Sequence, residues 1–328
     1  MEPVRWGILS TAKIGTEKVI PGMLKEPSLK IVGLASRDAA RGAETAKRLG
    51  IPKSYGSYEA MLDDPEIEAI YNPLPNHLHV PMTLEAAKRG KHVLCEKPIA
   101  ITAKEAMALQ AVPKGIHVAE AFMVRHNPQW QKARELAKSG VLGTVRGVQV
   151  LFSYFNDDPA NIRNMADIGG GAILDIGCYP ITVSRYVFDA EPKRVVASIE
   201  RDPKFKTDRL SSGIADFGDG RHLTFTCGTQ LANHQRANII GTKGRYEIDI
   251  PFNAPPTSPN VATLFLDGKA PERMEFPVHD QYGLQGRDFS RVVRGLDKPL
   301  YGVADAIQNM KIIDAFFRSE TSGAFEVP

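Results

Sequence analysis

The chain has 328 residues, 43% of them hydrophobic and 24% charged, an ordinary globular composition with room for two domains. Against 38 Asp and Glu, 41 Lys and Arg leave a formal charge of +3, and no long basic run accompanies it, which argues against nucleic acid as the main partner. The 3 cysteines, Cys95, Cys178 and Cys227, are too scattered for a disulfide framework or a zinc ribbon and predict a reducing compartment. No apolar run has the length of a membrane span, and the start, Met1-Glu2-Pro3-Val4-Arg5-Trp6-Gly7, lacks the regions of a signal peptide. A cytoplasmic protein without a membrane partner is expected.

The first part of the chain alternates strands and helices. Val4–Leu9 reads as a strand, 14–24 as a helix, Leu29–Ala35 as a strand and Ala39–Leu49 as a helix. Residues 68–71 (strand), His79–Lys88 (helix), His92–Cys95 (strand), 103–111 (helix) and 116–119 (strand) continue the series. Such alternation predicts right-handed crossovers and a parallel, Rossmann-type sheet covered on both faces, over residues 1–122. After that the pattern changes. A helix at 129–138 leads to a long strand, Val145–Phe155, and then to a glycine-opened helix at 170–187. Strands are expected at 194–200, 213–217, 222–227, 237–241, 245–250 and 262–266, with Asp219-Gly220 and Asp267-Gly268 as hairpin signals. A proline-rich loop spans 251–260, and helices at 282–294 and 304–317 close the chain. Residues 123–328 are thus expected to form a substrate-binding and oligomerisation α/β domain with an open, predominantly antiparallel sheet.

The first strand–helix turn places Ser10, Ala12 and Gly15 on the three positions of the dinucleotide pattern G-x-G-x-x-G. Ala12 is small enough for a pyrophosphate to approach, and Gly15 permits tight helix packing. Ser10 must adopt a turn that glycine takes more easily. Ser10, Thr11, Ala12, Lys13 and Ile14 then form a candidate anion cradle, because amides at a helix start attract negative charge. Roughly 20 residues further on, an NAD-binding domain places an acid for the ribose 2′-hydroxyl. Here the strand ends Ala35-Ser36-Arg37-Asp38. A carboxylate would repel a 2′-phosphate, whereas Ser36 can donate to it and Arg37 can fork onto it. NADP is favoured over NAD, with Asp38 read as the cap of the next helix.

Three segments carry a resemblance. They are Tyr71-Asn72-Pro73-Leu74-Pro75-Asn76-His77-Leu78-His79, Cys95-Glu96-Lys97-Pro98 and the stretch from Gly169 to Tyr179. Together they resemble the Gfo/Idh/MocA oxidoreductases over essentially the whole chain. Asn161-Ile162-Arg163 and Glu120-Ala121-Phe122-Met123 look most like the branch of NADP-linked D-xylose 1-dehydrogenases and trans-1,2-dihydrodiol dehydrogenases. Ser10 departs from the glycine that usually opens the family fingerprint. The resemblance implies that Asn72, Pro73, Leu74, Asn76, His79, Glu96 and Lys97 line the cofactor. It also implies Lys97, Asp175 and Tyr179 as the catalytic group and a cis bond at Lys97-Pro98. No metal is expected, since His77 and His79 lack a third ligand at a usual spacing.

The chemistry is consistent with those roles. Asp175 and Tyr179 are four apart and share one helix face. Oxidising a carbinol needs a group that takes the hydroxyl proton, and a tyrosine with its ordinary pKa of about 10 is too weak a base near neutrality. A nearby ammonium, Lys97, would stabilise the phenolate, and Asp175 would orient it or the substrate. Pro180 predicts a kink eased by Gly177. Cys178 reads as a packed thiol. Asn161, Arg163 and Tyr282 are candidate substrate contacts, Tyr282 standing beside a helix cap. The expected substrate is a sugar, polyol or cyclic diol, with D-xylose oxidised at C1 first and a trans-dihydrodiol second. A redox-neutral glycosidase with tightly bound NAD and an NAD(P)-sensing regulator are the competing readings. The sensor has no need of the Lys97, Asp175 and Tyr179 set. An apolar open sheet face is expected to pair the chain as a homodimer or homotetramer.

Overall fold

In a computed structural model describing residues 2–299 and 301–328, the strand–helix alternation closes into one parallel sheet. Its strands are β1 (Val4–Leu9), β2 (Leu29–Ala35), β3 (Lys53–Tyr55), β4 (Ala69–Asn72), β5 (His92–Cys95) and β6 (Val118–Glu120). They lie in the order β3-β2-β1-β4-β5-β6, and every neighbouring pair is parallel. Strands buried on both faces read as near-continuous apolar runs, which is why β1 and β2 were legible. Ligands of such sheets bind beyond the carboxyl ends of the strands where the order reverses, here between β1 and β4.

The chain divides into two compact units, Met1–Met123 with Asp280–Ile307, and Val124–His279 with Gln308–Pro328. The linear division at 122/123 therefore has to be corrected for a return segment. Helix Gln281–Val293 packs on the parallel sheet, where Phe289 lies 5.5 Å from the Trp6 ring. The Trp6 indole donates to Ser290 Oγ at 3.2 Å. A buried indole needs such an acceptor, and the ring pair adds about 1 kcal/mol beyond area burial. The tight packing expected at Gly15 occurs instead at Gly22. A Cβ at Gly15 would sit 3.6 Å from Pro73 and Tyr71, ordinary contact, whereas one at Gly22 would come within 2.6 Å of Asp280 Oδ1.

The second unit carries β7 (Val145–Phe155), β8 (Arg194–Arg201), β9 (Asp208–Gly218), β10 (Arg221–Gly228), β11 (Gln230–Gly241), β12 (Gly244–Ile248), β13 (Asn260–Leu266) and β14 (Glu272–Phe276). Their order is β14-β13-β12-β11-β7-β10-β9-β8. Only β7 and β10 pair in parallel among these strands. Asp219 (φ 54°) and Gly220 (φ 69°) turn β9 into β10 with two left-handed residues, as their pairing in sequence predicts. β3 and β14 escaped the sequence reading because both are short edge strands rich in polar residues, the usual guard against further pairing. Helices Pro128–Ser139 and Cys178–Phe188 pack against this sheet. Its other face carries Gln149, Thr224, Arg236 and Asn238 among Leu151 and Ile214. That corrects the expectation of an apolar face. An antiparallel sheet covered on one side alternates its polar residues onto the other.

Candidate active site

In the first unit the fingerprint turn is built around Ser10, which takes a left-handed φ of 70°. Its amide donates to Ala35 O at 2.8 Å, tying the turn to β2. Its hydroxyl accepts from Ala12 N at 3.2 Å, a hydrogen bond that glycine could not make. Thr16 N bonds back to Ala12 O at 3.0 Å, so the helix opens at Ala12 and the amides before Thr16 leave its first turn unbonded to the helix itself. The helix continues as a wide π turn over Gly15–Val19. After β2, Ser36 is buried and its hydroxyl accepts from Asp38 N at 3.2 Å. Asp38 caps the next helix by accepting from Arg41 N at 3.0 Å. Arg37 is exposed, and its charge partly offsets the rise that burial causes in the Tyr58 pKa.

Neutral groups brace the turn after β4. The Asn72 amide donates to His79 O at 3.2 Å and Thr83 Oγ1 at 3.3 Å, and its carbonyl accepts from Leu74 N at 3.3 Å. The His79 ring lies between Leu74 O (2.6 Å from Nε2) and Pro98 O (2.7 Å from Nδ1). Burial pushes its pKa down to about 4, against the two carbonyls, which favour the charged ring. Both side chains are engaged in holding the turn, so any cofactor contact there falls to the backbone. The Lys97-Pro98 bond is cis. Glu96 accepts from the Tyr71 hydroxyl at 2.6 Å and from Lys97 N at 3.3 Å, which fixes the backbone from which Lys97 projects. Burial drives the Tyr71 phenol far above its ordinary pKa, so it remains a donor.

In the second unit Asp175 and Tyr179 lie on a helix that begins as a π turn, Ile173–Gly177, and continues as Cys178–Phe188. Pro180 follows this wide turn by three residues. The predicted irregularity is thus a π turn before the proline, which lets the helix absorb its missing N–H. Asp208 caps the start, accepting from Ile173 N at 2.6 Å and Ser211 Oγ at 3.2 Å. Burial raises its pKa to about 7. Asp175 Oδ2 accepts from the Tyr154 hydroxyl at 2.6 Å and from Arg163 Nε at 3.0 Å. Tyr179 is buried against aromatic rings, 5.9 Å from Phe152 and 5.1 Å from Phe252.

Residues 4–124 match an oxidoreductase family with an NAD-binding Rossmann fold, and residues 130–247 match the GFO/IDH/MocA C-terminal domain. The chain belongs to the GFO/IDH/MocA oxidoreductase family. It is 36% identical to D-xylose 1-dehydrogenase (NADP(+)) 2 of Haloferax volcanii, over 97% of this chain and 98% of that one. It is 31% identical to mouse (Mus musculus) trans-1,2-dihydrobenzene-1,2-diol dehydrogenase, over 84% of this chain and 80% of that one. The crystal structure of KijD10, a 3-ketoreductase from Actinomadura kijaniata in complex with NADP and TDP-benzene, superposes with a TM-score of 0.90 at 28% identity. That match covers 97% of this chain and 98% of KijD10.

Within this GFO/IDH/MocA chain the three expected substrate contacts do not share a unit. Tyr282 packs on the core of the Rossmann unit, and burial, with the nearby Glu96 charge, raises its pKa. Asp280 caps its helix by accepting from Tyr282 N at 3.1 Å. Asn161 and Arg163 sit in the second unit. Asn161 caps a short 3₁₀ turn by accepting from Arg163 N at 3.0 Å. Arg163 Nε donates to Asp175 Oδ2 at 3.0 Å. Sequence reasoning missed Tyr154, Phe152 and Phe252. Phe152 and Tyr154 are two apart on β7 and so share a strand face, which was the available signal. Phe252 comes from the proline-rich loop and left none. Among the described residues, no cluster of His, Cys, Asp and Glu could hold a metal ion, and no helix is long and apolar enough to cross a membrane.

Proposed function

We propose that the chain is an NADP-dependent dehydrogenase of a sugar, polyol or cyclic diol, with Tyr179 as the proton acceptor and Lys97 and Asp175 assisting it. The observation that carries this reading is Tyr179 itself. A buried phenol walled by Phe152 and Phe252, one helix turn from a carboxylate paired with Arg163, is a site for holding and moving a proton. A bound nicotinamide supplies the hydride acceptor. The Ser10–Ile14 backbone would cradle its pyrophosphate, with Ser36 and Arg37 toward a 2′-phosphate and Asn76, Glu96 and the 72–74 and 79 segments beside it. The fit rests on the left-handed Ser10 turn and the amides that precede Thr16. Asn161, Arg163 and Tyr282 belong to the same reading as groups that select hydroxyl-rich substrates, Arg163 through Asp175.

D-xylose oxidised at C1 is the first substrate to try, and a trans-dihydrodiol the second. A cytoplasmic homodimer or homotetramer is part of the same proposal. The mixed polar face of the eight-stranded sheet would pair by hydrogen bonds as much as by apolar contact. The test is a panel of aldoses, polyols, cyclic diols and simple alcohols with NADP⁺, read by NADPH absorbance. Several hydroxyls should be required, because a substrate without them leaves buried polar groups unpaired. Equal turnover of simple monohydroxy alcohols would overturn the polyol reading.

A further inference from the structure

Tyr154 had no place in the sequence-based site, yet its hydroxyl donates to Asp175 Oδ2 at 2.6 Å, a shorter hydrogen bond than the 3.0 Å one from Arg163 Nε. Strand and helix spacings permit the contact without dictating it. Residues two apart on a strand are separated by about 6.7 Å. Residues four apart on a regular α-helix are separated by about 6 Å, and by somewhat less where a wide π turn shortens the rise, as over Ile173–Gly177. Phe152 and Tyr154 on β7 can therefore meet Tyr179 and Asp175 as two matched pairs, and Phe152 does lie against Tyr179 at 5.9 Å.

Arg163 is held in place independently of any ligand. Its carbonyl accepts from Gly171 N at 2.9 Å, Met165 O accepts from Gly170 N at 2.9 Å, and Asn161 caps its amide. Asn164 anchors the same loop through Asn156 Oδ1 (3.0 Å) and Asp158 O (2.8 Å). Burial and the Asp175 charge push the Tyr154 phenol far above its ordinary pKa, so it donates at any working pH. The Asp175 charge likewise strengthens the hold of Arg163 on its proton. Two permanent donors on one oxygen hold an acceptor-only carboxylate.

We propose that Tyr154 and Arg163 are positioning residues that keep Asp175 ionised and aimed, and that they act on turnover through that carboxylate alone. The proposal rests on the reading of Asp175 and Tyr179 as site residues. It assigns Arg163, expected to touch substrate, to the carboxylate instead.

The test uses the full chain with [4-¹³C]aspartate, the Asp175 signal being identified by its loss in Asp175→Asn. Arg163→Met should move the Asp175 titration midpoint up by about a unit or more, Tyr154→Phe by less, and Arg163→Lys should restore most of the shift. In activity, Tyr154→Phe should lower kcat about tenfold and move the acid limb of the pH profile up, with no further loss in an Asp175→Asn background. An unmoved titration in Arg163→Met, or equal losses from Tyr154→Phe in both backgrounds, would overturn the proposal. Should the titration move while no polyol is oxidised, the clamp on Asp175 stands and the dehydrogenase reading falls. Circular dichroism of each variant separates these outcomes from misfolding, and Arg163→Lys supplies a conservative substitution if Arg163→Met does not fold.

Discussion

The turn after β4 in the first unit and the helix start at Ile173 in the second do comparable work with different groups. In the first, an amide and an imidazole, Asn72 and His79, hold the backbone, and burial keeps the imidazole neutral down to about pH 4. In the second, carboxyl groups hold it: Asp208, whose pKa burial raises to about 7, caps the helix, and Asp175 is paired with the Arg163 guanidinium. A neutral brace adds no field of its own to a turn proposed to lie beside an anionic cofactor. Fixed charges around a phenol set which protonation state it holds. Under the proposed function, the first turn would serve binding and the second proton movement.

If that division holds, Tyr179→Phe should lower kcat by about 10²–10⁴, while Asn72→Ala should cost stability and raise the cofactor KM with a far smaller change in kcat. Steady-state kinetics on both variants decide it. A comparable collapse of kcat in a folded Asn72→Ala protein would place the neutral turn in the chemistry as well.

The two braces should also answer pH with opposite signs, and the chain offers a way to see each. Its 2 tryptophans fall one to a unit, Trp6 in the first and Trp130 in the second. Asp208 has a folded pKa of about 7, raised above its ordinary 3.8. The stability it contributes is fully present below about pH 4 and lost as pH rises to 7. Urea unfolding followed at Trp130 in a Trp6→Phe background should show the native protein losing up to about 4 kcal/mol relative to Asp208→Asn over that window. A constant difference between the two proteins would mean that the helix cap is ionised throughout.

His79 should behave the other way. Its folded pKa is lowered from 6.5 to about 4, so its contribution is present above pH 6.5 and lost as pH falls toward 4. Followed at Trp6 in a Trp130→Phe background, His79→Gln should be the less stable protein at pH 7. The gap should close by about 3 kcal/mol on acidification. A gap that widens would show that the two carbonyls keep the ring charged. The smallest effect concerns the cofactor: Arg37→Ala should weaken NADP binding by about tenfold and leave NAD nearly unchanged, as isothermal titration would report. Equal losses for both would assign Arg37 to the fold, through Tyr58.

Local signals in the sequence carried far. β1, β2, β5, β7 and the helices Ala39–Leu49 and His79–Lys88 stand where periodicity and caps place them, because those signals act between residues a few positions apart. The Asp38 cap and the Asp219-Gly220 hairpin were readable for the same reason. Long-range pairing was not. Nothing in residues 281–293 says that their helix returns to cover Trp6, since an amphipathic helix fits any apolar sheet of matching shape. Nor could spacing reveal that Arg163, Tyr154 and Phe252 meet the Asp175–Tyr179 helix. Those contacts depend on which strand lies under the helix and where two loops are anchored, and chain folding sets both through contacts that no local pattern encodes.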